Sequence, residues 1–150
     1  MKLSLISDYF SKEEKQAVVD AIGQAEKQTS GEIRVYFERS TKKMTPMQRA
    51  YRAFRKLGMD KTEHQNGVLI YIAFGDRACA IIGDRGIHEK VGDHFWKEEL
   101  EIMQTNFRRD EYVKGLQKTI QLVGEKLSYY FPYQRDDVNE LDDEIYFDED

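Results

Sequence analysis

Asn66-Gly67-Val68-Leu69-Ile70-Tyr71-Ile72-Ala73-Phe74 decides the fold class of this 150-residue chain. Residues 68–74 are apolar without a break, and most are β-branched or aromatic. A strand with one wet face would alternate, so this one reads as buried on both sides. Asn66-Gly67 before it is turn chemistry, since both residues tolerate φ > 0. Gly75-Asp76-Arg77 after it is a short connection, and Ala78-Cys79-Ala80-Ile81-Ile82 reads as a second strand returning antiparallel. Gly83-Asp84-Arg85-Gly86 closes the hairpin.

The segments on either side must cover these two strands. Upstream, Ser11 and Glu14 form a capping box, and Ala17, Val18, Ala21, Ile22 and Ala25 follow at helical spacing, which predicts a helix over about 12–28. Glu32–Glu38 alternates Ile33, Val35 and Phe37 with Arg34, Tyr36 and Glu38, the pattern of a strand with one buried and one half-exposed face. Thr45-Pro46 opens a second helix with stripe Met47, Ala50, Tyr51, Phe54 and Leu57, stopped at Gly58. Strand, helix, strand in this order calls for a right-handed crossover, with strands 32–38 and 68–74 parallel and close. Downstream, a helix over 88–104 carries Val91, Phe95, Trp96, Leu100 and Met103. Asp110 is expected to cap a last helix reaching about 130 through Tyr112, Val113, Leu116, Ile120, Val123 and Leu127.

The composition excludes several classes. A lone cysteine, Cys79, rules out an internal disulfide and a cysteine-rich zinc site, and reads as a small buried apolar residue. No apolar run approaches the ~20 residues of a membrane helix, and Asp8 interrupts any signal-like start, so a cytoplasmic location is expected. The net charge of −5 is uneven: residues 136–150 hold nine acids and no Lys or Arg, leaving +4 on residues 1–135. Residues 1–131 are therefore read as the domain and 132–150 as a disordered acidic tail. Phosphate-loop, zincin and EF-hand motifs are absent, and His64, His88 and His94 are scattered.

Five short motifs occur in order: Thr29-Ser30-Gly31-Glu32-Ile33, Asn66-Gly67-Val68-Leu69, Asp76-Arg77, Gly83-Asp84-Arg85-Gly86-Ile87, and Arg109-Asp110-Glu111-Tyr112. Over residues 8–131 the chain thereby resembles the TPM domain family, named for thylakoid-lumen proteins of photosystem II repair and an animal receptor auxiliary protein. The resemblance implies a three-layer α/β/α sandwich around a small mixed sheet, in agreement with the residue-level reading. It also implies calcium binding, acid phosphatase activity on phosphomonoesters, or an accessory role. Family members are typically exported or membrane-tethered with a Gly-rich tail; this chain ends in acid instead.

Strand direction sorts the candidate ligands. Glu32, Asn66 and Asp84 fall at one edge of the sheet, with Asp93 a further ligand if its helix starts there. Oxygen-rich and without an obligatory cation nearby, this group suits Ca²⁺, with Mg²⁺ second. Turn and capping chemistry is the competing reading of the same residues. At the opposite edge lie Ser40-Thr41, Asp76, Arg77 and Asp110, beyond the carboxyl ends of the parallel strands; an Asp76–Arg77–Asp110 ion pair is the expectation there. Arg39, Lys42, Lys43, Arg49, Arg52, Arg55, Lys56 and Lys61 make a basic surface around the second helix, with Arg49, Arg52 and Lys56 opposite the apolar stripe. The leading expectation is a non-catalytic, divalent-cation-binding accessory domain. A metal-assisted phosphatase is the first alternative, and a module that binds a protein partner through the basic helix and acidic tail is the second. Nucleic acid is not an expected partner, and oligomeric state is not legible.

Overall fold

The computed structural model describes residues 4–92, 94–134 and 144–150. Among these, α1 (Lys12–Glu26), β1 (Glu32–Glu38), α2 (Pro46–Lys56), β2 (Gly67–Ala73), β3 (Ala78–Gly83), α3 (Arg85–Val91), α4 (Lys97–Arg108), α5 (Tyr112–Tyr130) and β4 (Ile145–Phe147) follow in order. The sheet runs β3-β2-β1-β4. β1 and β2 are parallel, with Glu32 opposite Gly67 and Glu38 opposite Ala73. β3 returns antiparallel on β2, with Gly83 opposite Val68.

Residues 68–73 are all fully buried, as two-sided packing requires. Their period of two sends Val68, Ile70 and Ile72 to a core shared with α1, α4 and α5, while Leu69, Tyr71 and Ala73 meet Ala50, Ala53 and Phe54 of α2. Helices therefore cover both faces, and the architecture is a three-layer α/β/α sandwich.

Local signals act as the sequence suggests at two helix starts. The hydroxyl of Ser11 accepts from the Glu14 N–H at 3.0 Å while the Glu14 carboxylate accepts from the Ser11 N–H at 2.9 Å. Thr45 and Gln48 repeat this reciprocal box at α2, with Pro46 in the first turn.

Five expectations change. The helix over 88–104 is two helices, because Gly92 at φ 77° ends α3 in a conformation that suits glycine alone. Asp110 does not cap α5; it sits at φ 57°, and its carboxylate meets Arg77 instead. The α2 stripe is Ala50, Ala53 and Phe54, whereas Met47 and Tyr51 are exposed. Rotation of the stripe brings Arg49 toward the sheet, off the face opposite the stripe. β1 is buried on both faces, Arg34, Tyr36 and Glu38 included, because α2 covers its second face and β4 pairs along its outer edge.

The last of the five concerns the acidic end. Residues 145–147 pair parallel with β1 through Val35↔Ile145 and Phe37↔Phe147, so the end of the 132–150 segment lies within the sheet and is not a free tail. Phe147 stacks on Phe37 at 5.1 Å and Tyr146 on Tyr36 at 5.1 Å. Asp148 is buried, and Glu149 accepts the Ile6 and Ser7 N–H groups at 2.7 and 3.1 Å. Aromatic packing and saturated carboxylates supply what acid content alone would deny.

Candidate functional site

The parallel register and the hairpin together set Glu32, Asn66 and Asp84 along one sheet edge. Asp84 follows β3 directly, and its N–H donates to the Gly67 carbonyl at 2.9 Å. Glu32 is the Cα partner of Gly67 on the other side, so Asp84 and Glu32 stand two strand spacings apart, roughly 10 Å by backbone. Asn66, 3 % exposed, lies between them and donates from Nδ2 to Ser30 Oγ at 3.2 Å. Glu32 is itself buried. The fourth expected ligand, Asp93, lies outside the described residues.

Asp84 carries the sharpest feature of this edge. Its Oδ1 accepts the Arg85 N–H at 2.7 Å as the N-cap of α3, but its Oδ2 is buried with no hydrogen-bond partner. Burial raises the carboxyl's pKa, and the charge of nearby Asp60 raises it further, against the hydrogen bond and charge at Arg85. Asp60 and Asp84 share a cleft of about 490 Å³ with Tyr51, Phe54, Arg85 and His88. Gly86 lets the backbone close in: a Cβ there would stand 2.6 Å from the Gln65 carbonyl and 3.2 Å from that of His64. Among the described residues no three His, Cys, Asp or Glu side chains gather into a metal-binding group. The donor set at Asp84 is thus two carboxylates and neighbouring loop carbonyls. An orphaned, desolvated carboxylate oxygen in a cleft that a second acid also lines fits a hard cation. Asp60 was not singled out in the sequence; it sits in a one-turn 3₁₀ segment, Met59–Lys61, that bears no ligand signature.

At the other end of the strands the carboxylates are satisfied. Asp76 Oδ2 accepts the Thr41 N–H at 2.8 Å, and Arg77 donates to Asp110 at 2.8 Å in an exposed pair. The expected Asp76–Arg77–Asp110 group is therefore divided: Arg77 pairs with Asp110, and Asp76 caps the loop at Thr41. A cleft of about 500 Å³ opens here between Tyr9, Phe10, Phe74 and Tyr112, with Arg39 at its margin.

A buried polar cluster lies beneath α2. Arg49 donates Nε to Glu38 Oε2 at 2.8 Å and Nη2 to Oε1 at 2.6 Å, and the Tyr71 hydroxyl donates to the same carboxylate. Glu38 is 1 % exposed. Burial, and then the hydrogen bond to Glu38, push the Tyr71 phenol far above its ordinary range. Beside this cluster the Tyr36 hydroxyl donates to Asp148 at 2.6 Å and Lys56 to the same oxygen at 3.3 Å. The members come from β1, α2, β2 and the end of the chain, with Tyr71 inside an otherwise apolar run, so nothing in the sequence marks them as neighbours. Cys79 is buried, and desolvation alone pushes its thiol up to about 11, consistent with an apolar packing role.

One mixed sheet, a parallel strand–helix–strand unit, a hairpin, and helices on both faces define a small α/β/α sandwich with its candidate ligands at the strand ends. The chain belongs to the TPM domain family, whose model matches residues 6–126. The solution structure of BA42 from the psychrophilic bacterium Bizionia argentinensis is 42 % identical, with a TM-score of 0.84, over 96 % of this chain and 99 % of that one. The N-terminal domain of a protein from P. gingivalis (17 % identity, TM-score 0.68, 84 % and 82 % covered) shares the fold. So does the N-terminal domain of cg2496 from Corynebacterium glutamicum (16 %, 0.60, 90 % and 84 %). Among curated proteins, none matches the chain. No helix among the described residues is long and apolar enough to cross a membrane.

Proposed function

We propose that this TPM domain is a non-catalytic accessory module that binds a divalent cation, Ca²⁺ in preference to Mg²⁺, at the sheet edge around Asp84. The observation that carries the reading is the buried, unpartnered Asp84 Oδ2 beside a second carboxylate, Asp60. A carboxylate oxygen removed from water without a donor is costly, and a cation is a partner that two acids lining one cleft can share. Asp60 and Asp84 would hold the ion with loop carbonyls, and Asn66 and Glu32 lie along the same edge. Two carboxylates give modest affinity, and a cage of loop ligands favours the larger, more tolerant ion.

The test is a Ca²⁺ titration followed by amide chemical shifts and by melting temperature. Shifts centred on Asp60 and Asp84, with a rise in melting temperature at millimolar Ca²⁺, are expected. Asp84→Asn with Asp60→Asn should abolish the rise and leave the fold intact. Shifts confined to Asp76, Arg77 and Asp110 would move the ion to the opposite edge and overturn the reading. Metal-dependent phosphomonoester hydrolysis that is lost in the Asp84 variant would make the domain an enzyme and not an accessory.

A further inference from the structure

A second cleft, on the other side of α2, gathers more cations than form ion pairs among the described residues. It encloses about 570 Å³ between the 42–44 turn, α2 and the Asp148–Asp150 end of the chain. Five cations line it. Arg49 is committed to Glu38 and Lys56 to Asp148. The other three, Lys42, Arg52 and Arg55, have no carboxylate partner among the described residues; Arg52 reaches only the Met44 sulfur at 3.7 Å. Lys42 is carried by a turn in which Lys42 and Lys43 both adopt positive φ, 53° and 68°, a conformation that costs two non-glycine residues in a row. Three cations without an ion-pair partner among the described residues share one concavity with Asp150, in a chain whose net charge is −5.

We propose that this cleft binds a small anion of the diphosphate type, two linked phosphate groups, on Lys42, Arg52 and Arg55. Charge and donor count favour that class. Arg52 and Arg55 stand about 4.5 Å apart along α2 at 1.5 Å per residue, and Lys42 reaches the cleft from a separate turn. A single tetrahedral oxyanion offers these three cations four oxygens, whereas two linked phosphates offer more terminal oxygens and more negative charge. Guanidinium groups present paired N–H donors to phosphate oxygens, and two of the three free cations are arginines. Arg49, gripped by Glu38 and Tyr71, gives the cleft a rigid floor. The chain's own oxyanions already stand in it. Asp148 takes the Lys56 ammonium, and exposed Asp150, whose N–H donates to Asp148 Oδ1 at 3.2 Å, faces the free cations as a weak competitor. The concave shape and limited volume suit a small molecule better than a nucleic-acid backbone, which needs an extended positive track.

The inference is independent of the cation site, with which the cleft shares only Arg55, and it is tested without metal. Full-length protein in chelator-treated buffer is titrated with pyrophosphate, orthophosphate and sulfate at matched ionic strength, followed by calorimetry and by Arg and Lys side-chain NMR. Pyrophosphate is expected to bind roughly tenfold or more tightly than sulfate, with shifts at Lys42, Arg52 and Arg55. Arg52→Gln with Arg55→Gln, both at exposed positions, should lower that affinity by roughly tenfold or more. Asp150→Asn should raise it, and Lys118→Gln, at an exposed position of α5, should leave it unchanged. Equal affinity for sulfate and pyrophosphate, or an unaltered double variant, would reduce the cleft to a solvated basic surface and overturn the proposal. Tighter binding of a single-stranded oligonucleotide than of pyrophosphate would overturn the assigned ligand class.

Discussion

The two faces of the sheet differ in what their cores admit: one is wholly apolar, and the other encloses an ion pair. Against α1, α4 and α5 the sheet presents Ile33, Val35, Phe37, Val68, Ile70, Ile72 and Ile81, an apolar layer closed by Ile22, Phe107, Leu116, Ile120 and Val123. Against α2 it presents Tyr36, Tyr71 and Glu38, and the helix answers with Ala50, Ala53 and Arg49. The first face is held by area removed from water, to which each large side chain contributes about 1.5–3 kcal/mol. The second also buries apolar area, with Leu69, Ala73 and Ile82 in one cluster with Ala50, Ala53 and Phe54, but short alanines let α2 approach and a carboxylate saturated with donors lies within it. An apolar layer tolerates repacking among residues of similar volume, whereas a buried ion pair tolerates the loss of neither partner.

The largest effect that distinguishes the faces is expected in the first. Ile70→Asp and Ile72→Asp each place an unpaired charge in the layer against α1, α4 and α5, at several kcal/mol, and should leave no cooperatively folded protein. Circular dichroism melts of both variants provide the check. A soluble variant with a sharp transition would show that this layer is not the dominant core. Ile70→Val should cost only about 1 kcal/mol, since the site stays apolar.

The polar face comes next. Glu38→Gln leaves the half-buried Arg49 guanidinium without its anion, and Arg49→Met leaves the Glu38 carboxylate fully buried without its cation. Each is expected to cost roughly 3–5 kcal/mol in urea unfolding. The double variant Glu38→Gln/Arg49→Met should be less destabilised than the sum of the singles, because no buried charge remains. Additive losses would mean that the pair is not coupled, and the contrast between the faces would fail. Single losses below about 1 kcal/mol would place the pair with exposed bridges such as Arg77–Asp110.

The same contrast explains what could be read from the sequence. The unbroken run 68–74 and the 3.6-residue stripes of α1 and α5 are apolar patterns, and apolar patterns survive folding unchanged because their partners are interchangeable. Burial of Glu38, Arg34 and Asp148 depends on which side chain arrives from a distant segment, and a polar residue looks the same before and after it is paired. That is why β1 was expected to be half-exposed and the acidic end free. The α2 stripe was misplaced for a related reason: Met47 and Tyr51 are apolar enough to suggest an inward face, while the small Ala53 carried too little weight beside them. For the candidate site, strand direction was enough to bring Glu32, Asn66 and Asp84 to one edge. Asp60 was invisible because it comes from a short turn with no periodicity, and its nearness to Asp84 is a product of tertiary packing.

The smallest of the three effects tests where the polar face ends. β4 joins both layers, since Phe147 packs with the apolar core while Tyr146 joins the α2 side. Truncation after Gln134 removes both rings and the Asp148 and Glu149 carboxylates. A loss of roughly 2–3 kcal/mol, or a fall of about 10 °C in melting temperature, is expected at neutral pH. The pH dependence of that loss identifies its polar part. Burial pushes the Asp148 carboxyl up, but hydrogen bonds from Tyr36, the Asp150 N–H and Lys56 outweigh it and hold its pKa below the usual aspartate value. At Glu149 the Ile6 and Ser7 N–H groups likewise overcome desolvation and lower the pKa. A carboxylate depressed in the folded state stabilises that state above its unfolded pKa, near 4, and loses the contribution as pH falls through the lower folded value. The gap between full-length and truncated protein should therefore be widest at pH 6–7 and narrow steadily below about pH 4. The part that survives in acid should track the two rings, and Phe147→Ala in the full chain should reproduce much of it. A gap that is flat from pH 7 to pH 3 would mean that the carboxylates contribute nothing and that β4 is held by its aromatic rings alone. A gap that closes completely in acid would mean the reverse, with the end of the chain belonging wholly to the polar face.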